Sequence, residues 1–450
     1  MVKASSSGLS SDLAGGADTI VARATPVGRG ALALIRVSGS QAAACAARVC
    51  PGLSFGAGWK ATLTTIFDAD GEPLERAIAT SFPGPRSFTG EDMLELTVHG
   101  SPFLIEAVIE AFVAAGARPA AAGEFTRRAV ANGKLDLVQA EALRDLIAAD
   151  TAWQHRNARQ QLAGELSAQF RKLRAALVAL LAAVEASLDY EAQGVDVAAD
   201  EIVTRLRDCR GQLAALLTTA DAGERLREGV RLVILGPPNA GKSSLFNYLV
   251  GAERAIVSPH PGTTRDLVEA ELDLGGVPIV VQDTAGLRAG GDEIEVEGHR
   301  RAQAAAAAAD LAIVLWAMDA EFDTSPREVT EHLPVIRVRS KTDLKPGTAV
   351  ADGWLGISCH SGEGLEEFRR ELLRRVLGDV PDLGGAVAIA ARHRRELETA
   401  FAELDRCDPE CPETAAETVR WSLRAVDELI GTVATDDVLD EVYSTFCVGK

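Results

Sequence analysis

Between Arg171 and Tyr190 the apolar residues Leu173, Leu177, Leu180, Leu181, Val184 and Leu188 return every three or four positions, with charged and small residues between them. That spacing lines them along one face of an α-helix. No proline interrupts the chain from Leu135 to Val230, so the stretch reads as several amphipathic helices packed as a bundle. Upstream, from Asp18 to Asn132, the pattern changes to short β-branched runs, "TIVARAT", "ALALIRVSG" and "LELTVHG", with one apolar helix, "PFLIEAVIEAFVAAGA", and Gly/Pro punctuation in "FPGPRSFTG". This predicts a small α+β domain.

Downstream, "VRLVILG", "VPIVVQD", "DLAIVLW", "PVIRVRS" and "WLGIS" alternate with helical stretches as far as Leu377. Fully apolar strands separated by helices predict a parallel sheet with crossover connections. After "GDVPDLGGA", helical periodicity returns in "RRELETAFAELDRC" and "AETVRWSLRAVDELIGTV". Helices on both sides of an α/β segment predict a domain inserted into a helical one, which nearby domain termini permit. The expected division is a flexible leader over 1–17, an α+β domain over 18–134, a helical domain in two parts over 135–228 and 378–450, and the α/β domain over 229–377 between them.

A chain of 450 residues exceeds one core, in keeping with this division. The net charge of −19 argues against bulk, non-specific nucleic-acid binding. Two local basic clusters, "ARHRRE" (Ala391 to Glu396) and "TRRAV" (Thr126 to Val130), read first as solvated helix faces. The seven cysteines include no CxxC, and Cys407 and Cys411 in "CDPEC" have no companion ligands. They read as incidental thiols in a reducing, cytoplasmic setting. No apolar run is long enough to cross a membrane, and "MVKASSSGLSSDLAGGAD" lacks the apolar core of a signal peptide. No G-x-G-x-x-G follows a strand, so a flavin or dinucleotide site is not expected on this chain.

The chemistry concentrates in the α/β segment. "GPPNAGKSS" fits G-x-x-x-x-G-K-[ST] from Gly236 to Ser243, directly after a strand and before a helix. Glycines let the backbone wrap phosphates, and the loop from Asn239, Ala240 and Gly241 to Lys242, Ser243 and Ser244 turns amides inward. Lys242 brings a point charge to the β and γ oxygens, and Ser243 a hydroxyl to Mg²⁺. In "DTAGL", Asp283 is placed for the outer shell of Mg²⁺, Thr284 and Ala285 line the turn, and the Gly286 amide is aimed at the γ-phosphate. Between these motifs, "PGTTRD" offers Thr264 as the switch residue that joins Mg²⁺ when the γ-phosphate is present. Three phosphate elements in this order predict a GTPase. The base is expected to be guanine: "SKTD" supplies Asp343 for the N1 and N2 donors and Lys341 to cover the ring, while Ser340 stands where GTPases of this type carry Asn. "ISCHSGEG" places Ser358 and Cys359 in the supporting loop.

From about Thr19 onward the chain resembles the MnmE (TrmE) family of tRNA uridine-34 modification GTPases. The carriers are "TIVARATPVGRGALALIRVSG", "SFTGEDMLEL", "GEFTRRAVANGKLDLVQAEA", "LREG", "GPPNAGKSS", "PGTTRD", "DTAGLR" and the terminal "FCVGK". The resemblance implies a multidomain fold: an N-terminal α+β folate-binding and dimerisation domain, a helical bundle domain, and a Ras-like P-loop G domain inserted into the latter.

What else follows comes from the resemblance alone. It implies that Glu295 orients or deprotonates the attacking water, since Leu287 follows the "DTAG" glycine and cannot. It implies that K⁺ neutralises charge at the transferring phosphoryl group, held by Asn239 and by carbonyls at Ser258, His260 and Thr263, with Ser258 and Thr263 also against the nucleotide. It implies a site for 5-formyl- or 5,10-methylene-tetrahydrofolate at Arg36, Glu95, Lys134 and the terminal Lys450, with Cys447 near the tRNA or the one-carbon unit. The implied partners are a second copy in a homodimer, the flavin-dependent protein MnmG (GidA) in a heterotetramer, and tRNA, with no membrane. The implied product is an aminomethyl or carboxymethylaminomethyl group at C5 of the wobble uridine. At this point two other readings stay open: a regulatory GTPase without modification chemistry, and a structural homodimer with a degenerate G domain.

Overall fold

The structure, a computed structural model, describes residues 18–56, 58–191, 199–255, 268–283, 304–320, 333–377, 389–431, 439, 442–444, 446 and 448–449. Its contacts divide the chain into two compact units. One comprises Met1–Arg144, Leu162–Arg171 and Asp427–Lys450, the other Asp145–Gln161 and Lys172–Val426.

In the first unit, alternation of apolar and polar residues builds a six-stranded sheet. Its elements are β1 (Thr19–Arg23), β2 (Gly30–Gly39), α1 (Ala42–Val49), β3 (Ala61–Phe67), β4 (Pro73–Phe82), β5 (Met93–Gly100), α2 (Pro102–Ala114) and β6 (Arg118–Pro119). The strand order is β3-β4-β5-β2-β1-β6, antiparallel except for β1 with β6. Ile35 and Val37 of β2 and Leu94 and Leu96 of β5 turn inward with Val108 and Phe112 of α2 to form one core. With a side-chain period of two, Arg36 and Glu95 then fall on the opposite face, and the register sets them directly across from each other. Strands β3 and β4 extend the sheet beyond the runs that the sequence pattern singles out. Their apolar residues alternate with Thr, Glu and Arg, so no continuous run announces them.

Helix α3 (Glu124–Ala131) follows β6 and carries one of the two basic clusters. It is not a solvated face. Arg128 has a side chain only 11% exposed and bonds Asp18, Glu91 and Glu124. Arg118 bonds the same Glu124 and Asp18. The network closes the start of β1 onto α3, and no free cation is left at Arg128 for nucleic acid.

The helical run predicted from periodicity forms α4 (Leu137–Ala148), α5 (Ala152–Leu162), α6 (Glu165–Glu191) and α7 (Ala199–Glu228). Leu173, Leu177, Leu180 and Val184 of α6 are fully buried. In the second unit α7 leads into β7 (Val230–Leu235), α8 (Lys242–Ala252), β8 (Arg254–Ala255), β9 (Val268–Leu274), β10 (Val277–Asp283), β11 (Leu311–Ala317), β12 (Val335–Ser340), β13 (Leu355–Gly356) and α9 (Leu365–Leu377). The sheet order is β13-β12-β11-β7-β10-β9-β8. The strands from β13 to β10 run parallel, and β9 and β8 are added antiparallel at one edge. The chain then returns to helix in α10 (Ala391–Asp405) and α11 (Pro412–Ile430).

Arg210 of α7 donates to the carbonyls of Leu404 and Asp405 at the end of α10, and Arg420 of α11 pairs with Glu185 of α6. Helices from before and after the α/β segment thus form one bundle, and the P-loop domain is an insertion in it. The second basic cluster opens α10, where Arg392 and His393 are buried, so this cluster is not a solvated face either. No helix among the described residues is long and apolar enough to cross a membrane.

Candidate functional site

The phosphate loop is set by backbone geometry before any side chain acts. Strand β7 is buried along nearly its whole length, so its C-terminal end is held rigidly at the centre of the sheet. Gly236 then turns with φ +151°, and a Cβ there would stand 2.2 Å from the carbonyl oxygen of Leu315 on β11. Only glycine fits that approach. Asn239 and Gly241 both take positive φ, 62° and 90°. The loop curls back and delivers the N-terminus of α8, whose helix dipole favours an anion.

Lys242, the first residue of α8, is buried, and its Nζ donates to the carbonyls of Gly236 (2.8 Å) and Pro237 (2.9 Å). The ammonium is therefore pinned inside the loop's own curve, where phosphate oxygens would sit. Ser243 and Ser244 are exposed on the first turn of α8. Asp283 ends β10, which runs parallel to β7 with Asp283 opposite Ile234. Ser243 thus follows the loop on the first turn of α8, and the backbone of β10 ends beside β7, the strand that leads into the same loop. Asn239 is exposed at the crest of the loop. Thr284, Ala285, Gly286, Ser258, His260, Thr263, Thr264 and Glu295 lie outside the described residues.

The base loop follows β12. Lys341 adopts φ +58° and opens a single 3-10 turn, Thr342–Leu344, that carries Asp343. The hydroxyl of Ser358, fully buried, donates to Oδ1 of Asp343 at 2.6 Å and accepts from the amides of His360 (3.2 Å) and Ser361 (3.1 Å). Those amides fix the rotamer of Ser358, which in turn fixes the carboxylate. Burial, and then the nearby Asp343 carboxylate, raises the Cys359 thiol above its ordinary range, so it stays protonated at neutral pH. Lys341 reaches Asp319 with Nζ at 3.5 Å. Ser340 does something the sequence does not announce: its Oγ lies 2.6 Å from the carbonyl oxygen of Ala240 and ties the base loop to the phosphate loop.

In the first unit, Arg36 and Glu95 meet in a salt bridge of 2.8 Å, each about a fifth exposed. The guanidinium also stands 5.8 Å from the centre of the Phe88 ring, within cation–π range, and Nη1 lies 3.5 Å from the carbonyl oxygen of Gly449. Val448 bridges Ala122 in antiparallel fashion, which seats the end of the chain beside β1. Lys134 donates from Nζ to the carbonyl of Pro85 at 2.9 Å, at the start of the turn that carries Phe88. Arg36, Glu95 and the tail backbone are brought together, and Lys134 sits over the neighbouring turn. Cys447 and Lys450 lie outside the described residues. Phe88 and Gly449 were not singled out from sequence as contacts of Arg36. The only signal for either was its place inside a quoted motif, "SFTGEDMLEL" and "FCVGK".

The chain matches the family model described as GTP-binding protein TrmE N-terminus over residues 19–134 and that of the MnmE helical domain over residues 137–447. It is similar to the tRNA modification GTPase MnmE of Maricaulis maris, with 42% identity over 441 residues covering 96% of this chain and 99% of that protein. The protein of the same name from Rhodopseudomonas palustris is 42% identical over 443 residues, with the same coverage. Among solved structures, the G domain of the T. maritima FeoB iron transporter matches 32% of this chain and 98% of that chain at 24% identity, with a TM-score of 0.25.

Proposed function

The chain belongs to the MnmE family of tRNA modification GTPases, and from that premise we propose how its GTP hydrolysis serves the modification. Hydrolysis is stimulated by K⁺, and the resulting conformational change acts on a one-carbon site in the N-terminal domain. With the flavin-dependent partner MnmG (GidA), the protein adds an aminomethyl or carboxymethylaminomethyl group at C5 of uridine 34, the carbon coming from a tetrahydrofolate. It works as a homodimer and in a heterotetramer with MnmG, in the cytoplasm.

The observation that carries this reading is the meeting of Arg36, Glu95 and the Gly449 carbonyl. A folate presents a carboxylate and a pterin with amide-like donors, and this face offers a guanidinium, a carboxylate and an aromatic ring within one cluster. The last residue, Lys450, follows directly after a backbone anchored there. In the G domain, Lys242 holds phosphate oxygens, Ser243 and Thr264 bind Mg²⁺, and Asp283 supports the ion from β10. Asn239 with the carbonyls of Ser258, His260 and Thr263 would hold K⁺, which supplies positive charge to the transferring phosphoryl group. Glu295 orients the water.

The test is nucleoside analysis of tRNA from a strain lacking this protein. Loss of the C5 substituent at uridine 34, restored by the wild-type gene, is the expected result. An unchanged nucleoside profile would overturn the proposal, and so would the absence of any folate binding in a titration of the purified protein.

A further inference from the structure

Ser340 closes β12 at the one position where the base loop departs from Asn-Lys-x-Asp. The residue is 4% exposed, and its Oγ is 2.6 Å from the carbonyl oxygen of Ala240. A carbonyl oxygen only accepts, so the hydroxyl is the donor, and a hydroxyl has a single proton. An asparagine amide would bring two N–H donors to this place, one for the loop carbonyl and one left over. The N7 and O6 edge of guanine consists of acceptors alone, so a side chain that reads it needs a free donor. Ser340 has none to offer. Across the loop, Asp343 is an acceptor held in place by Ser358, matched to the N1 and N2 donors on the other edge of the base.

We propose that Ser340 is a positioning residue for the phosphate loop and not a reader of the base, so that this G domain recognises guanine through Asp343 with N7 left unread. The bond to Ala240 anchors the residue just before Gly241, where the loop hands over to α8. Ser340 therefore acts on phosphate binding from the base side. The inference rests on Ser340 to Asp343 being the base loop.

The experiment uses the full-length protein and competition binding of GDP against 7-deaza-GDP, in which C–H replaces N7. The two are expected to bind within about twofold of each other, because no hydrogen bond to N7 is lost. A penalty of about tenfold or more for the deaza analogue would overturn the proposal. Ser340→Asn is expected to create a preference for GDP over 7-deaza-GDP, and an N7-indifferent S340N protein would remove residue 340 as the cause. Ser340→Ala is expected to weaken both nucleotides equally, by about two- to tenfold, with S340T restoring them; unchanged affinity in S340A would refute the positioning role. The base loop is tested separately by Asp343→Asn, which is expected to lose GDP and gain xanthosine diphosphate. If D343N binds GDP as before, the base-loop reading itself fails, whatever the deaza analogue does.

Discussion

The carbonyl oxygen of Gly449 accepts from Nη1 of Arg36 at 3.5 Å, across 413 positions of sequence. Gly449 has φ +97°, and a Cβ there would stand 2.1 Å from the carbonyl oxygen of Arg23. Any side chain at 449 therefore forces the tail away from the strand that carries Arg23. Gly449→Ala is expected to abolish the C5 modification of uridine 34 while GTP turnover by the purified protein is unchanged. Full modification by this variant, read by nucleoside analysis, would separate the tail from the reaction.

The Asp18–Arg118–Glu124–Arg128 network makes the N-terminal domain sensitive to acid. Burial alone would raise both carboxyls, but hydrogen bonds and charge from Arg118 and Arg128, with the Ala121 amide on Glu124, outweigh it. Asp18 is held below its ordinary 3.8 and Glu124 below its ordinary 4.5. A depressed folded-state value means the unfolded chain binds protons first as pH falls. The stabilisation is thus complete above the ordinary values and is lost as pH drops through the lower, folded ones. Protection of the β1 amides in hydrogen exchange should be constant at neutral pH and fall below about pH 4, and Glu124→Gln should flatten that acid limb. Arg128→Ala removes one of the two guanidinium partners of the buried Glu124, Arg118 keeping its pair, and is expected to cost about 1.5–3 kcal/mol at neutral pH, the range for a hydrogen bond to a charged group.

Trp153 of α5 is 5% exposed and belongs to the same core as Leu274, Val277 and Ile279 of the G-domain sheet. Beside it, the hydroxyl of Thr151 donates to the carbonyl of Gly276 at 2.8 Å, in the turn between β9 and β10. Trp153→Ala is expected to cost about 3–5 kcal/mol through the cavity it leaves, seen as a lower unfolding temperature of the G-domain transition. A loss below about 1 kcal/mol would mean that the sheet holds this turn without α5.

Asn239 carries the K⁺ proposal. GTP turnover is expected to be faster in KCl than in NaCl at equal ionic strength, and Asn239→Ala should erase the difference. Equal rates in both salts for the wild-type protein would remove K⁺ from the mechanism.

Much of the phosphate machinery was legible in the sequence because its chemistry is local. A glycine that must turn, a lysine at the first turn of a helix and a strand before both lie within a few residues, and Gly236, Asn239, Gly241 and Lys242 adopt the conformations that this spacing demands. The periodicity of α6 was legible for the same reason, and Leu173, Leu177, Leu180 and Val184 are buried as their spacing required. The basic cluster at Arg128 was misread because charge density along a chain carries no information about which carboxylates fold over it.

What the chain by itself determined, then, is most of its elements, its phosphate loop and its family, all written in short-range patterns. Tertiary structure alone decided that Ser340 would bond Ala240, 100 positions away, and that Arg36 would face Glu95, 59 positions on, and the tail. Strand register and domain insertion set those distances, and a side chain's partner across such a gap depends on the whole packed fold rather than on its neighbours in sequence.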